Sequence, residues 1–156
     1  MANLLWIQAV GCGGETVSLL NCDHPHLQAA LHTLDVVILG HPYLHGQTRG
    51  TMEQTSDECA SGKVPVDLLV VEGAIYQTSS ESPTWVSGKP LTERIRAIAA
   101  SAAYTVAVGT CASFGGIMAC GRNPKECGSN LESKHKKLIS RYLLEISTSL
   151  MLEEIL

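Results

Sequence analysis

The sequence predicts an α/β fold, an open and mainly parallel sheet with helices on both faces. Two observations predict it. Four runs are rich in Val, Leu and Ile without strict alternation, the pattern of strands covered on both sides. They also alternate with helix-like stretches, which implies right-handed crossover connections.

The strand runs are LLWIQAV at residues 4–10, DVVILGHP at 35–42, VDLLVVEGA at 66–74 and YTVAVGT at 104–110. TVSLLNCDHPHLQAALHTL, interrupted by Pro25, and PLTERIRAIAASAA, with Pro90 and Thr92 placed for a helix start, read as helices. GQTRGTMEQTSDECASGK, 46–63, is polar and weakly periodic, so a loop or a mobile helix is expected there, with Cys59 a bystander. TSSESPTWVSGKP, 78–90, reads as a loop whose Trp85 is either an ordinary loop residue or a partner-facing anchor. In the tail, Leu131, Leu138, Tyr142, Ile146 and Leu150 recur at roughly helical spacing, predicting an amphipathic helix. The domain organisation read from this is a sheet domain over 1–130 and a helical tail over 131–156.

Composition narrows the function. With 156 residues, 45% of them apolar, the chain suits one domain of ordinary size. A net charge of −4 offers no general field for a nucleic-acid backbone. Lys134, Lys136 and Lys137 read as a solvated helix face. The uncharged stretch from Ala97 to Cys120 is broken by Gly109, Gly115 and Gly116, which favours a buried helix entering a buried strand over a membrane span. Strand-like residues begin by Leu4 without a leader pattern, so a cytosolic location is expected. The six cysteines, Cys12, Cys22, Cys59, Cys111, Cys120 and Cys127, contain no CxxC pair and in that setting favour free thiols or metal ligands. His24 and His26 flank Pro25 and read as surface polarity.

Open parallel sheets bind ligands beyond the carboxyl ends of their strands. Three loops there carry the distinctive residues: GCGGE after the first run, EGAIYQTSS after the third and GTCASFGG after the fourth. Glycine permits close backbone approach and positive φ. A dinucleotide site is the generic expectation, but GCGGET lacks both the GxGxxG order and a P-loop ending. A Cys111 nucleophile needs a base that no histidine is placed to supply. An iron–sulfur cluster, taking thiolates from separate loops, accounts for both cysteines. So does simple burial of small residues at tight turns.

LLWIQAVGCGGETVSLLN, VVEGAI and AVGTCASFGGI, in that order, resemble the amino-terminal, flavodoxin-like domain of nickel–iron hydrogenase small subunits over about residues 3–124. The related cluster-bearing subunit of respiratory complex I is the second choice, since its adjacent cysteine pair is absent. The resemblance implies a flavodoxin-like sheet ordered 2-1-3-4, a four-iron, four-sulfur cluster, electron transfer and a large-subunit partner. It places Cys12 and Cys111 at cluster-cysteine positions, with Gly11, Gly13 and Gly109 shaping the loops. Glu15 falls where the family usually has its second cysteine; it is either an unusual iron ligand or an acid at a helix start. Glu72 matches the family's VEG acid, in a proton or interface role or as a plain polar strand end. After GRNP at 121–124 the likeness ends, and the family's PGCPP-like fourth cysteine and further cluster domain are not in the sequence. Cys120 and Cys127 are the remaining nearby thiols, though neither stands at a family ligand position. The expected function is therefore an electron-transfer small subunit; the alternative is a cluster-free, truncated relative that only binds a partner.

Overall fold

The computed structural model describes residues 1–44, 46, 48–76, 88–120, 127–128 and 138–140. The strands are β1 (Ala2–Gln8), β2 (Val36–Gly40), β3 (Leu68–Glu72), β4 (Ile75–Tyr76), β5 (Tyr104–Val108), β6 (Cys127–Gly128) and β7 (Leu138–Ser140). Helices α1 (Gly14–Leu20), α2 (Leu27–Thr33), α3 (Arg49–Ala60), α4 (Leu91–Ser101) and α5 (Gly109–Phe114) lie between them. The main sheet has the order β2-β1-β3-β5-β7, all parallel, and β4 pairs antiparallel with β6.

Successive side chains of a strand point to opposite faces, so an unbroken apolar run feeds two cores at once. Leu5, Ile7, Leu69 and Val71 pack with Met52 and Cys59 of α3 and with Ile95 and Ile98 of α4. Leu4, Trp6, Leu68 and Val70 turn the other way, against Val108 and Leu19 of α1. β3, buried at every position, is central.

The predicted flavodoxin-like sheet is present, with the four predicted strands in the expected spatial order. A fifth strand joins them. Leu138–Ser140, expected within the tail helix, instead pairs with Thr105–Ala107 of β5. The physical reason is the open side of β5, whose unpaired N–H and C=O groups accept a parallel partner with apolar residues at Leu138 and Ile139. The rest of that tail, the lysine cluster and Trp85 lie outside the described residues.

The segment expected as a loop or mobile helix is a helix of 12 residues, α3. Thr48 caps it by accepting from the Thr51 N–H. Its weak periodicity has a structural cause: the buried face mixes Met52 and Cys59 with Glu53 and Ser56, and the Ser56 hydroxyl bonds back to the Met52 carbonyl. Cys59 is accordingly a core residue. His26, half of the His24/His26 pair, caps α2 through its Nδ1, which accepts from the Ala29 N–H at 3.2 Å. No helix among the described residues is long and apolar enough to cross a membrane.

A candidate cysteine site at the carboxyl end of the sheet

The site begins with register. Gln8 of β1 lies opposite Glu72 of β3, and Glu72 opposite Val108 of β5, so three parallel strands end level. The loops that follow must leave from the same rim. GCGGE starts three residues beyond Gln8, and Gly109 follows Val108 directly. Cys12 is exposed there and Cys111, in the first turn of α5, is half-buried.

The glycines make this approach sterically feasible. A Cβ on Gly11 would stand 3.2 Å from the Gly73 Cα, and one on Gly73, at φ +95°, would stand 2.8 Å from the Val10 backbone. The Val10 and Ala74 backbones exchange hydrogen bonds at 3.0 and 2.8 Å, tying the two loops together. Gly13, at φ +75°, is the N-cap of α1. Gly109 has φ +84°, and a Cβ there would overlap the Glu15 carboxyl. Bare backbone at Gly109 is therefore occupied by a side chain of this same chain.

Glu72 is wholly buried at the end of β3. Its Oε2 accepts from Trp6 Nε1 at 3.0 Å and from the Thr16 hydroxyl, and its Oε1 accepts from the Thr16 backbone N–H at 3.3 Å. Thr16 lies in the first turn of α1, so Glu72 fastens that helix to the central strand. Glu15 also hydrogen-bonds Glu72 through its side chain. Burial raises the Glu15 carboxyl above its ordinary 4.5, the neighbouring Glu72 raises it further, and a bond from its own backbone N–H opposes the rise.

The Cys111 thiol is likewise pushed up, first by burial, then by the negative charges available at Glu15 and Cys12, against a hydrogen bond from the Ile117 N–H. Glu15 and Cys12 are thus near enough to Cys111 to act on its charge. Cys111 Sγ also fills the space a Cβ on Gly116 would take, at 2.6 Å. Cys120 is exposed and its Sγ donates to the Gly116 carbonyl at 3.4 Å. The Cys127 backbone pairs with Tyr76 of β4; its side chain lies outside the described residues. Sequence reasoning named Cys12, Glu15, Cys111 and Glu72 but missed Trp6 and Thr16. Their only signal was a donor-bearing residue on each element flanking the VEG acid.

Whether these residues suit an iron–sulfur cluster turns on the donor set. Two soft thiols stand on turns at one rim, as such a cluster requires. The third candidate, Glu15, has its carboxyl turned onto Gly109 and hydrogen-bonded to Glu72. Among the described residues, no three His, Cys, Asp or Glu side chains are grouped to hold a metal ion. The described residues thus supply two thiols and fall short of the four donors of a four-iron cluster.

The profile of the family described as NADH ubiquinone oxidoreductase, 20 Kd subunit, matches residues 12–147. The chain belongs to this family. Its relatives bear out the resemblance to nickel–iron hydrogenase small subunits. The Hydrogenase-2 small chain of Escherichia coli K12 is 31% identical over 122 residues, covering 78% of this chain and 32% of the relative. The periplasmic [NiFeSe] hydrogenase small subunit of Desulfomicrobium baculatum is 36% identical over 134 residues, covering 78% and 42%. This member of the 20 Kd subunit family thus spans about a third of the length of the first and two-fifths of the second. In three dimensions it matches the reduced, active nickel–iron–selenium hydrogenase of D. baculatum with a TM-score of 0.74 at 30% identity, covering 90% of this chain and 55% of that one. The actinobacterial-type NiFe-hydrogenase of Ralstonia eutropha H16 matches with a TM-score of 0.77 over 90% of this chain and 48% of that one; at 23% identity it speaks to the fold alone.

Proposed function

We propose that this chain is an electron-transfer small subunit of a nickel–iron hydrogenase-type oxidoreductase, with Cys12 and Cys111 contributing thiolates to an iron–sulfur cluster of the four-iron type beside a large subunit. The observation that carries the reading is the level register of Gln8, Glu72 and Val108, which delivers both cysteine loops to one rim. Hydrogenase small subunits among the relatives support it. Next to Cys111, Phe114, Ile117 and Met118 are 51%, 82% and 37% exposed, a concentration of apolar surface that supports a protein partner at this rim. The chain's own described residues bring two thiolates to such a cluster, and the reading assigns them no more than that.

The second reading, a cluster-free subunit that only binds a partner, is favoured by one observation: the Glu15 carboxyl lies over Gly109 and is engaged by Glu72, which leaves two thiols among the described residues. Anaerobic co-expression with a hydrogenase-type large subunit from the same genome separates the two. Electron transfer predicts a complex carrying iron and sulfide, both lost on Cys12→Ser or Cys111→Ser. A complex with neither element supports the second reading, and a chain that ignores the large subunit overturns both.

A further inference from the structure

We infer that Glu15 is a latch between the two cysteine loops, not a ligand of iron. The inference concerns the same rim as the electron-transfer reading and rests on that reading only for its iron measurement.

Three contacts define the latch. Glu15 leaves the second position of α1, directly after the GCGG turn that carries Cys12. Its carboxyl lies over Gly109, in the space a Cβ would otherwise fill, at the turn that leads to Cys111. It also hydrogen-bonds Glu72, whose remaining acceptor capacity is taken by Trp6 and Thr16 on the elements to either side. One side chain therefore joins the loop after β1, the end of β3 and the turn after β5. An iron ligand needs free carboxylate lone pairs, whereas this carboxyl packs over the Gly109 backbone and hydrogen-bonds a buried acid. Gly109 belongs to the device as much as Glu15 does, since any side chain there would expel the carboxyl. The latch is a positioning element: it sets how closely the Cys12 and Cys111 turns approach.

The two roles respond oppositely to Glu15→Gln. A glutamine has the same length, covers Gly109 equally, and its amide N–H donates to Glu72 without a shared proton; as a neutral oxygen donor it is a poor iron ligand. Glu15→Asp does the reverse, keeping the carboxylate but falling one methylene short. The test uses the full chain, first iron-free, with amide hydrogen exchange followed by mass spectrometry over residues 11–16 and 109–112. Glu15→Ala and Glu15→Asp should exchange faster in both segments, by roughly fivefold or more, the change expected from losing a net hydrogen bond and its packing. Glu15→Gln should exchange no faster than wild type. After anaerobic incubation with ferrous iron and sulfide, Glu15→Gln should also retain as much iron as wild type. Unchanged exchange in either segment of the Ala and Asp variants overturns the latch, as does a Gln variant that loses iron held by wild type. If wild type binds no iron, the exchange data decide the latch alone, and it is the electron-transfer reading that fails.

Discussion

Removing the Glu72 carboxyl tests how the rim is held. Glu72 is fully buried and accepts from Trp6 Nε1, the Thr16 N–H and the Thr16 hydroxyl. Glu72→Leu roughly conserves volume, so the cavity contribution is small and the cost comes from stranded donors. A buried donor left without a partner costs about 1–3 kcal/mol. The Thr16 hydroxyl can rotate to another acceptor, and leucine avoids desolvating a carboxylate, which offsets part of the loss. The net expectation is a destabilisation of about 3–5 kcal/mol. At about 2–4 °C per kcal/mol for a chain of this size, the melting temperature should fall by roughly 6–20 °C. Glu72→Gln keeps one acceptor oxygen and should cost about 1 kcal/mol. Thr16→Val removes a single bond to an acidic acceptor and should fall between them, at about 1.5–3 kcal/mol. Urea unfolding of the full chain, followed by far-ultraviolet circular dichroism, reads all three against wild type. The midpoint should move with little change in slope. A Glu72→Leu variant within about 0.5 kcal/mol of wild type, or less affected than Glu72→Gln, would refute the account of Glu72 as the anchor of α1.

The raised Glu15 carboxyl sets a pH dependence. Because the folded chain holds this proton more tightly than the unfolded one, folding stability falls as pH rises from 4.5 through the elevated folded value. Glu15→Gln should therefore gain in melting temperature over wild type from pH 5 towards pH 7 and converge with it below 4.5, and parallel curves across that range would contradict the raised value. Cys59 is buried in the core, where burial and the nearby Glu58 push its thiol up to about 11. Iodoacetamide at pH 8 should thus modify the exposed Cys12 and Cys120 in the folded chain and reach Cys59 only after urea is added; early labelling of Cys59, located by peptide mapping, would count against its placement.

Much of the fold was readable because the strands are buried on both faces. Runs such as LLVVE need no periodic signal when every position is apolar or, at Glu72, provided with buried donors. The tail and α3 were harder for related reasons. α3 buries Glu53 and Ser56 beside Met52 and Cys59, which blurs helical periodicity. Leu138 and Ile139 fit a helical stripe as well as a strand, and the open side of β5 decided between them.

The sequence by itself determined the chemistry available at the rim: Cys12 and Cys111 on glycine-rich turns, Glu15 at a helix start, and an acid closing the third run. It could do so because residue type and turn composition are local properties. Which way the Glu15 carboxyl turns is not local. The choice depended on the absence of a Cβ at Gly109, 94 positions away in the chain, and on a Glu72 carboxyl already held by Trp6 and Thr16. Only the parallel register of β1, β3 and β5 brings those atoms within reach of one another, so only the tertiary structure could show an acid that joins two loops.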